Sequence, residues 1–142
     1  LMDNIDLASL NYLAIIVGVI INQALGAAWY GALGKPWMAE VGFTQEDLEA
    51  MKGTARQWYP YVVAIVGALI FTTGLAVLIQ GMASDNVLCG LILGLIASVG
   101  FIATSYATTY SFEGRSVKLF LINSGYPVIS YSIIGVLLSV WQ

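Results

Sequence analysis

Four stretches of this chain, residues 10–32, 58–80, 87–110 and 117–141, are apolar for 23 to 25 residues each. Three carry no charged side chain, and the fourth has only Lys118 beside its start. As helices they span roughly 35 Å at ~1.5 Å per residue, enough to cross a ~30 Å hydrocarbon core with some tilt. The runs are continuously apolar rather than alternating, which argues against a barrel. Composition closes off the soluble alternative. Of the 142 residues 59% are hydrophobic and 9% charged, against roughly 25% charged in an ordinary soluble domain. So small a globule could not hide that much apolar surface from water. The expected fold is an all-α integral membrane protein, a bundle of four transmembrane helices forming one membrane domain over residues 1–142.

The connections sort by charge. Lys35, Lys52 and Arg56 fall in the first loop, and Arg115 and Lys118 lie in or beside the third. The N-terminal segment and the second loop carry Asp3, Asp6 and Asp85 and no basic residue. The positive-inside rule then predicts loops one and three in the cytoplasm and both termini outside. An acidic start followed by so long an apolar run reads as a first span rather than a signal peptide. Trp29, Tyr30, Trp58, Tyr59 and Tyr110 are expected at the inner interface, and Tyr12 and Trp141 at the outer. In the first loop, Thr44 with Asp47 three residues on predicts a capping box opening a short helix over 45–52, ended by Gly53. Leu48 and Met51 would face the membrane and Glu46, Asp47 and Glu49 would face water.

Several kinds of chemistry are excluded by residue type. The chain has no histidine and one cysteine, Cys89. Imidazole-ligated zinc or haem, Ser–His and Cys–His pairs and an intrachain disulfide therefore have no parts here. No pair of acids lies within a span, so an intramembrane proton relay is not expected. Five basic residues against a net charge of −3 give no footprint for nucleic acid. No cofactor or metal is predicted.

Polar residues inside spans are the remaining candidates, because hydrocarbon makes each costly unless it is paired. Gly18, Asn22, Gly26 and Tyr30 recur every four residues and so share one helix face, with Gln23 beside them. Gly90, Gly94 and Ser98 form a small-residue stripe suited to close helix packing, within the bundle or at a dimer seam. Pro127 cannot donate to the carbonyl of Asn123 and predicts a kink. Asn123 would lie ~9 Å and Asn22 ~15 Å from the cytoplasmic ends of their helices, with Thr104 and Ser105 at a similar depth in the third span. These depths suggest one polar cluster, serving as interhelical glue or as a small-solute pocket. Glu113, Arg115 and Lys118 flank the tight third turn and would anchor topology or meet an anionic lipid or phosphate.

Two segments carry a family resemblance. Asn22-Gln23-Ala24-Leu25-Gly26-Ala27-Ala28-Trp29-Tyr30-Gly31 followed by Lys35-Pro36-Trp37-Met38, and the run from Phe112 through Glu113-Gly114-Arg115 to Asn123-Ser124-Gly125-Tyr126, resemble the opening and closing motifs of the bacterial membrane family known as domain of unknown function 1761. The resemblance implies a four-helix protein of a bacterial inner membrane and brings no activity with it. Its recurring residues fall on Trp29, Tyr30, Gly31, Trp37, Glu113, Gly114, Arg115, Lys118 and Asn123. Both segments lie at cytoplasmic helix ends in the predicted topology. Glu113 and Arg115 are therefore expected to contact Trp29, Tyr30, Lys35 and Trp37 through ion-pair and stacked guanidinium contacts.

The function these features favour is a non-enzymatic accessory or scaffolding subunit packed in a larger membrane assembly. A homo-oligomeric channel or carrier for a small solute comes second, and a lipid-acting enzyme at the inner interface third. The expected partners are the lipid bilayer and further membrane subunits, whether copies of this chain or others.

Overall fold

The structure, a computed structural model, describes residues 2–142. Among the described residues it is 86% helical with no strand, and four of its helices are long and apolar enough to cross a membrane: Tyr12–Val41, Ala55–Gly81, Val87–Glu113 and Val117–Val140. This is a membrane protein of the four-span kind that the apolar runs predict.

The first of these helices, α1 (Tyr12–Val41), starts where the Asn11 side chain accepts from the Ala14 N–H. It runs well past residue 32, so Lys35, Pro36 and Trp37 are helical rather than part of a loop. Pro36 sits inside it and leaves the Ala32 carbonyl without a helical donor, a loss that water at the membrane surface can make good. The helix stops only at Gly42, whose φ of 78° needs the left-handed region. A short helix, α2 (Gln45–Met51), follows and opens on the reciprocal Thr44–Asp47 capping box. Leu48 and Met51 are half-buried while Glu46, Asp47 and Glu49 are exposed.

The second spanning helix is α3 (Ala55–Gly81). The third is one rod in three parts: α4 (Val87–Leu95), a π-helical stretch at Ile96–Ala103, and α5 (Thr104–Glu113). Nothing in the sequence reading anticipated the π stretch. Ser98 and Thr104 return hydroxyl bonds to the carbonyls of Gly94 and Gly100, both at 2.7 Å, and such back-bonding loosens a helix locally. Gly114, at φ 67°, ends α5, and Ser116 caps α6 (Val117–Val140) by accepting from the Leu119 N–H.

Packing is tight at one end and open at the other. The core joins Ala14 and Ile15 of α1, Leu75, Ala76 and Ile79 of α3, Ala97 of the π stretch, and Tyr131, Ile134 and Leu138 of α6. Gly90 and Gly94 sit against α6 rather than on an outer seam. A Cβ on Gly90 would stand 2.6 Å from the Ser139 hydroxyl, and one on Gly94 would overlap the Tyr131 carbonyl. The stripe is therefore an internal packing surface, which lets two backbones touch. Polar straps close this same end, where the acidic residues Asp3, Asp6 and Asp85 lie. The Gln80 side chain exchanges hydrogen bonds with the Asp6 backbone at 2.8 and 3.1 Å. Asn11 bonds the Trp141 carbonyl, and the Ser84 and Ser139 hydroxyls meet at 2.7 Å.

At the opposite, basic end the helices part. Residues 55–67 of α3 are exposed without exception, and α5 has no buried residue.

Candidate functional site

The polar residues of α1 and α6 meet in the half of the bundle nearer the basic end. Two glycines make this possible. A Cβ on Gly26 would press on the Tyr126 hydroxyl at 3.2 Å, and one on Gly125 would collide with the Trp29 ring at 2.7 Å. Each glycine thus admits an aromatic side chain from the facing helix.

Asn22 is buried and is the hub of the first network. Its amide donates to the Ser130 hydroxyl at 2.9 Å, and its side-chain oxygen accepts from Tyr126 at 2.7 Å and from Gln23 at 3.1 Å. Gln23 also reaches the Ala64 carbonyl of α3 at 3.4 Å. About two turns toward the basic end, the Tyr30 hydroxyl donates to Asn123 Oδ1 at 2.9 Å, and Asn123 Nδ2 donates to the Tyr110 hydroxyl at 2.8 Å. Trp29 donates its indole N–H to the Ile122 carbonyl at 2.8 Å. The Tyr30 and Tyr126 rings meet edge to face, with centroids 5.8 Å apart, and link the two networks. Trp29 and Tyr30 therefore point into the bundle instead of serving as interface anchors.

The inner-face constellation differs from expectation. Arg115 pairs through Nε with Glu113, and its guanidinium lies 5.2 Å from the centroid of the Tyr110 ring. Neither acid nor guanidinium makes a polar or cation–π contact with Trp29, Tyr30, Lys35 or Trp37 among the described residues. The reason is the extra length of α1. Its continuation carries Lys35 to an exposed position and Trp37 between the rings of Tyr30 and Phe43, at centroid distances of 6.1 and 5.9 Å. Arg115 reaches Tyr30 only through Tyr110 and Asn123. The first loop region and the third turn are joined instead by Glu40, which accepts from the Ser116 hydroxyl and lies 3.8 Å from Lys118.

Sequence reasoning missed Tyr110, Tyr126 and Ser130 as partners, and Glu40 as the clasp. Tyr126 and Ser130 stand three and seven residues after Asn123, a one-face spacing that marks them as neighbours. Glu40 left no such signal, since its partner is a hydroxyl far along the chain. Gly18 packs beside Thr72 and Ile134. Pro127 is buried inside an unbroken α6, and the Asn123 carbonyl loses its helical donor there. Thr72 and Ser124 keep buried hydroxyl oxygens without partners among the described residues. No group of three or more metal-ligating side chains occurs among the described residues.

The segment carrying Asn22, Trp29 and Tyr30 thus interlocks with the one carrying Arg115, Asn123 and Tyr126. The family model described as "Protein of unknown function (DUF1761)" matches residues 13–139. The chain belongs to the DUF1761 family. No curated protein and no solved structure matches the chain. In this DUF1761 protein the two segments that carried the resemblance are one contact, helix to helix, built from two glycines, three aromatics and two asparagines.

Proposed function

We propose that the protein is a non-enzymatic accessory subunit of a larger membrane assembly, oriented with its basic end in the cytoplasm, and that it receives a partner's transmembrane helix alongside the basic-end half of α3. One observation carries this reading. Residues 55–67 are exposed on every face, although the continuation of the same helix packs into the core through Ala68, Thr72, Leu75, Ala76 and Ile79. A bundle helix normally buries a stripe along its whole length. Here ~20 Å of helix has none, and its only hydrogen bond to α1 among the described residues is the one from Gln23 to the Ala64 carbonyl. The Asn22 and Asn123 networks brace α1 against α6, so the open flank is held rather than collapsed.

The test is photo-crosslinking in native membranes. A photoreactive side chain replacing Tyr61 or Val62 should capture a different membrane protein, whereas one replacing the equally exposed Leu88 at the other end should not. Capture of a second copy of this chain would support the homo-oligomeric reading in its place. Capture of lipid alone would overturn both.

A further inference from the structure

We propose that the third turn and the adjoining face of α5 bind the headgroup of a zwitterionic aminophospholipid, with the phosphate on Arg115, the ammonium on Glu113 and an ester carbonyl on the tyrosine hydroxyls below. This site is separate from the open flank of α3 and does not depend on the partner reading above.

Four observations converge. Arg115 engages Glu113 through Nε alone, which leaves both terminal nitrogens of the fork, the pair suited to a phosphate. Both side chains are nearly half exposed, so their pairing is a weak surface contact that a headgroup can open and bridge. Next, the Tyr110 hydroxyl accepts from Asn123, which leaves its own proton free to donate. The Tyr106 hydroxyl, one turn deeper on the same face, has no partner among the described residues. Their rings lie parallel, 6° apart, with centroids 5.5 Å apart, so the two hydroxyls stand as a pair of donors at successive depths. A phospholipid presents its groups in that order, phosphate at the surface and ester carbonyls deeper. Finally, α5 buries no residue and so offers its length to acyl chains.

Charge decides which headgroup. An anionic lipid is the natural partner of Arg115 and Lys118 considered alone. Glu113 stands against Arg115, however, and Glu40 lies 3.8 Å from Lys118, so each cation at this turn faces an acid. The patch has no net attraction for an anion. It complements a headgroup carrying both signs, and an ammonium with N–H donors can bond a carboxylate where a trimethylammonium cannot.

Native mass spectrometry of the purified full chain would test this with phosphatidylethanolamine, phosphatidylcholine and phosphatidylglycerol of matched acyl chains. Phosphatidylethanolamine should be retained best. Glu113→Gln should abolish its advantage over phosphatidylglycerol, Arg115→Gln should weaken retention about tenfold, and Tyr110→Phe should weaken it less. Glu113 and Arg115 are nearly half exposed, so an unchanged thermal midpoint should accompany their losses, whereas Tyr110→Phe also takes an acceptor from Asn123 and should lower the midpoint. Preference for phosphatidylglycerol, or equal retention of all three, would overturn the proposal. Soluble phosphoethanolamine should fail to displace the lipid; if it displaces the lipid at comparable concentration, the ligand is a water-soluble phosphoryl amine and the lipid assignment is wrong.

Discussion

At the residue scale, the glycines of this chain do opposite jobs according to what faces them. Gly94 lies under the Tyr131 carbonyl with Ser132 Cα 2.9 Å from where a Cβ would sit, and both obstacles are backbone. Gly67 faces open space in the exposed half of α3. Gly94→Val should therefore force α4 and α6 apart and cost more than the ~1–3 kcal/mol of ordinary overpacking, because backbone cannot step aside like a rotamer. Gly67→Ala should be neutral or favourable by roughly 0.5–1 kcal/mol, since it removes chain freedom from the unfolded state at no steric cost. Thermal unfolding of the two variants in the same detergent checks the contrast. If Gly94→Val unfolds with the wild type, the close approach of α4 and α6 is wrong. Gly125 has an intermediate role. Its obstacle is the Trp29 ring, 2.7 Å away, and a ring can turn at the cost of its bond to the Ile122 carbonyl.

At the scale of elements, α2 is the piece whose stability should respond to acid. The Asp47 carboxyl accepts from the Thr44 backbone at 2.8 Å and from the Thr44 hydroxyl at 2.9 Å. The backbone bond is the larger cause, and together they hold Asp47 below its ordinary value of 3.8. A depressed carboxyl contributes stability that is present above the unfolded value and is lost as pH falls through the folded one. The start of α2 should therefore stay capped at neutral pH and fray only well into the acid range. Thr44→Ala should move the Asp47 titration back up toward 3.8, followed by its carboxyl carbon resonance. An unchanged titration would mean that the capping box does not form in solution.

The elements also differ in how far the sequence disclosed them. Hydropathy marked the four spans, and Thr44 with Asp47 marked α2, because each signal is local. The end of α1 was misplaced since Lys35-Pro36 reads as an exit from a helix, whereas proline is tolerated where the freed Ala32 carbonyl meets water. The π stretch at Ile96–Ala103 was invisible, because its cause is a register choice among α-competent residues. The site was half legible. Depth groups Asn22 with Asn123, and the four-residue spacing puts Tyr30 on the Asn22 face; the structure bonds Tyr30 to Asn123 directly and links both to Asn22 through Tyr126. Depth cannot say which way a turn residue points, and so Arg115 was assigned to Trp29 and Tyr30 instead of Tyr110.

At the scale of the whole molecule, the distribution of charge decides orientation, and net charge is a poor guide to it. Lys35, Lys52, Arg56, Arg115 and Lys118 all lie at one end of the bundle, but so do Glu40, Glu46, Asp47, Glu49 and Glu113. That end is electrically balanced, while the other carries only Asp3, Asp6 and Asp85. If net charge governed insertion, the balanced end would have only a modest claim on the cytoplasm. Lysines and arginines close to the helix ends dominate in practice, and acids contribute little. By that rule all five basic residues agree. The contacts of Glu40 with Ser116 and Lys118 put the first and third connections on the same side, so no two of the five can be separated without breaking the bundle. A reporter that is active only in the cytoplasm should therefore be silent when fused after Gln142 and active when inserted at Gly53, in the turn between α2 and α3. Activity after Gln142 with silence at Gly53 would reverse the orientation and leave the fold intact. Activity at both places would mean an even number of crossings between them, against the three made by α3, the α4–α5 rod and α6.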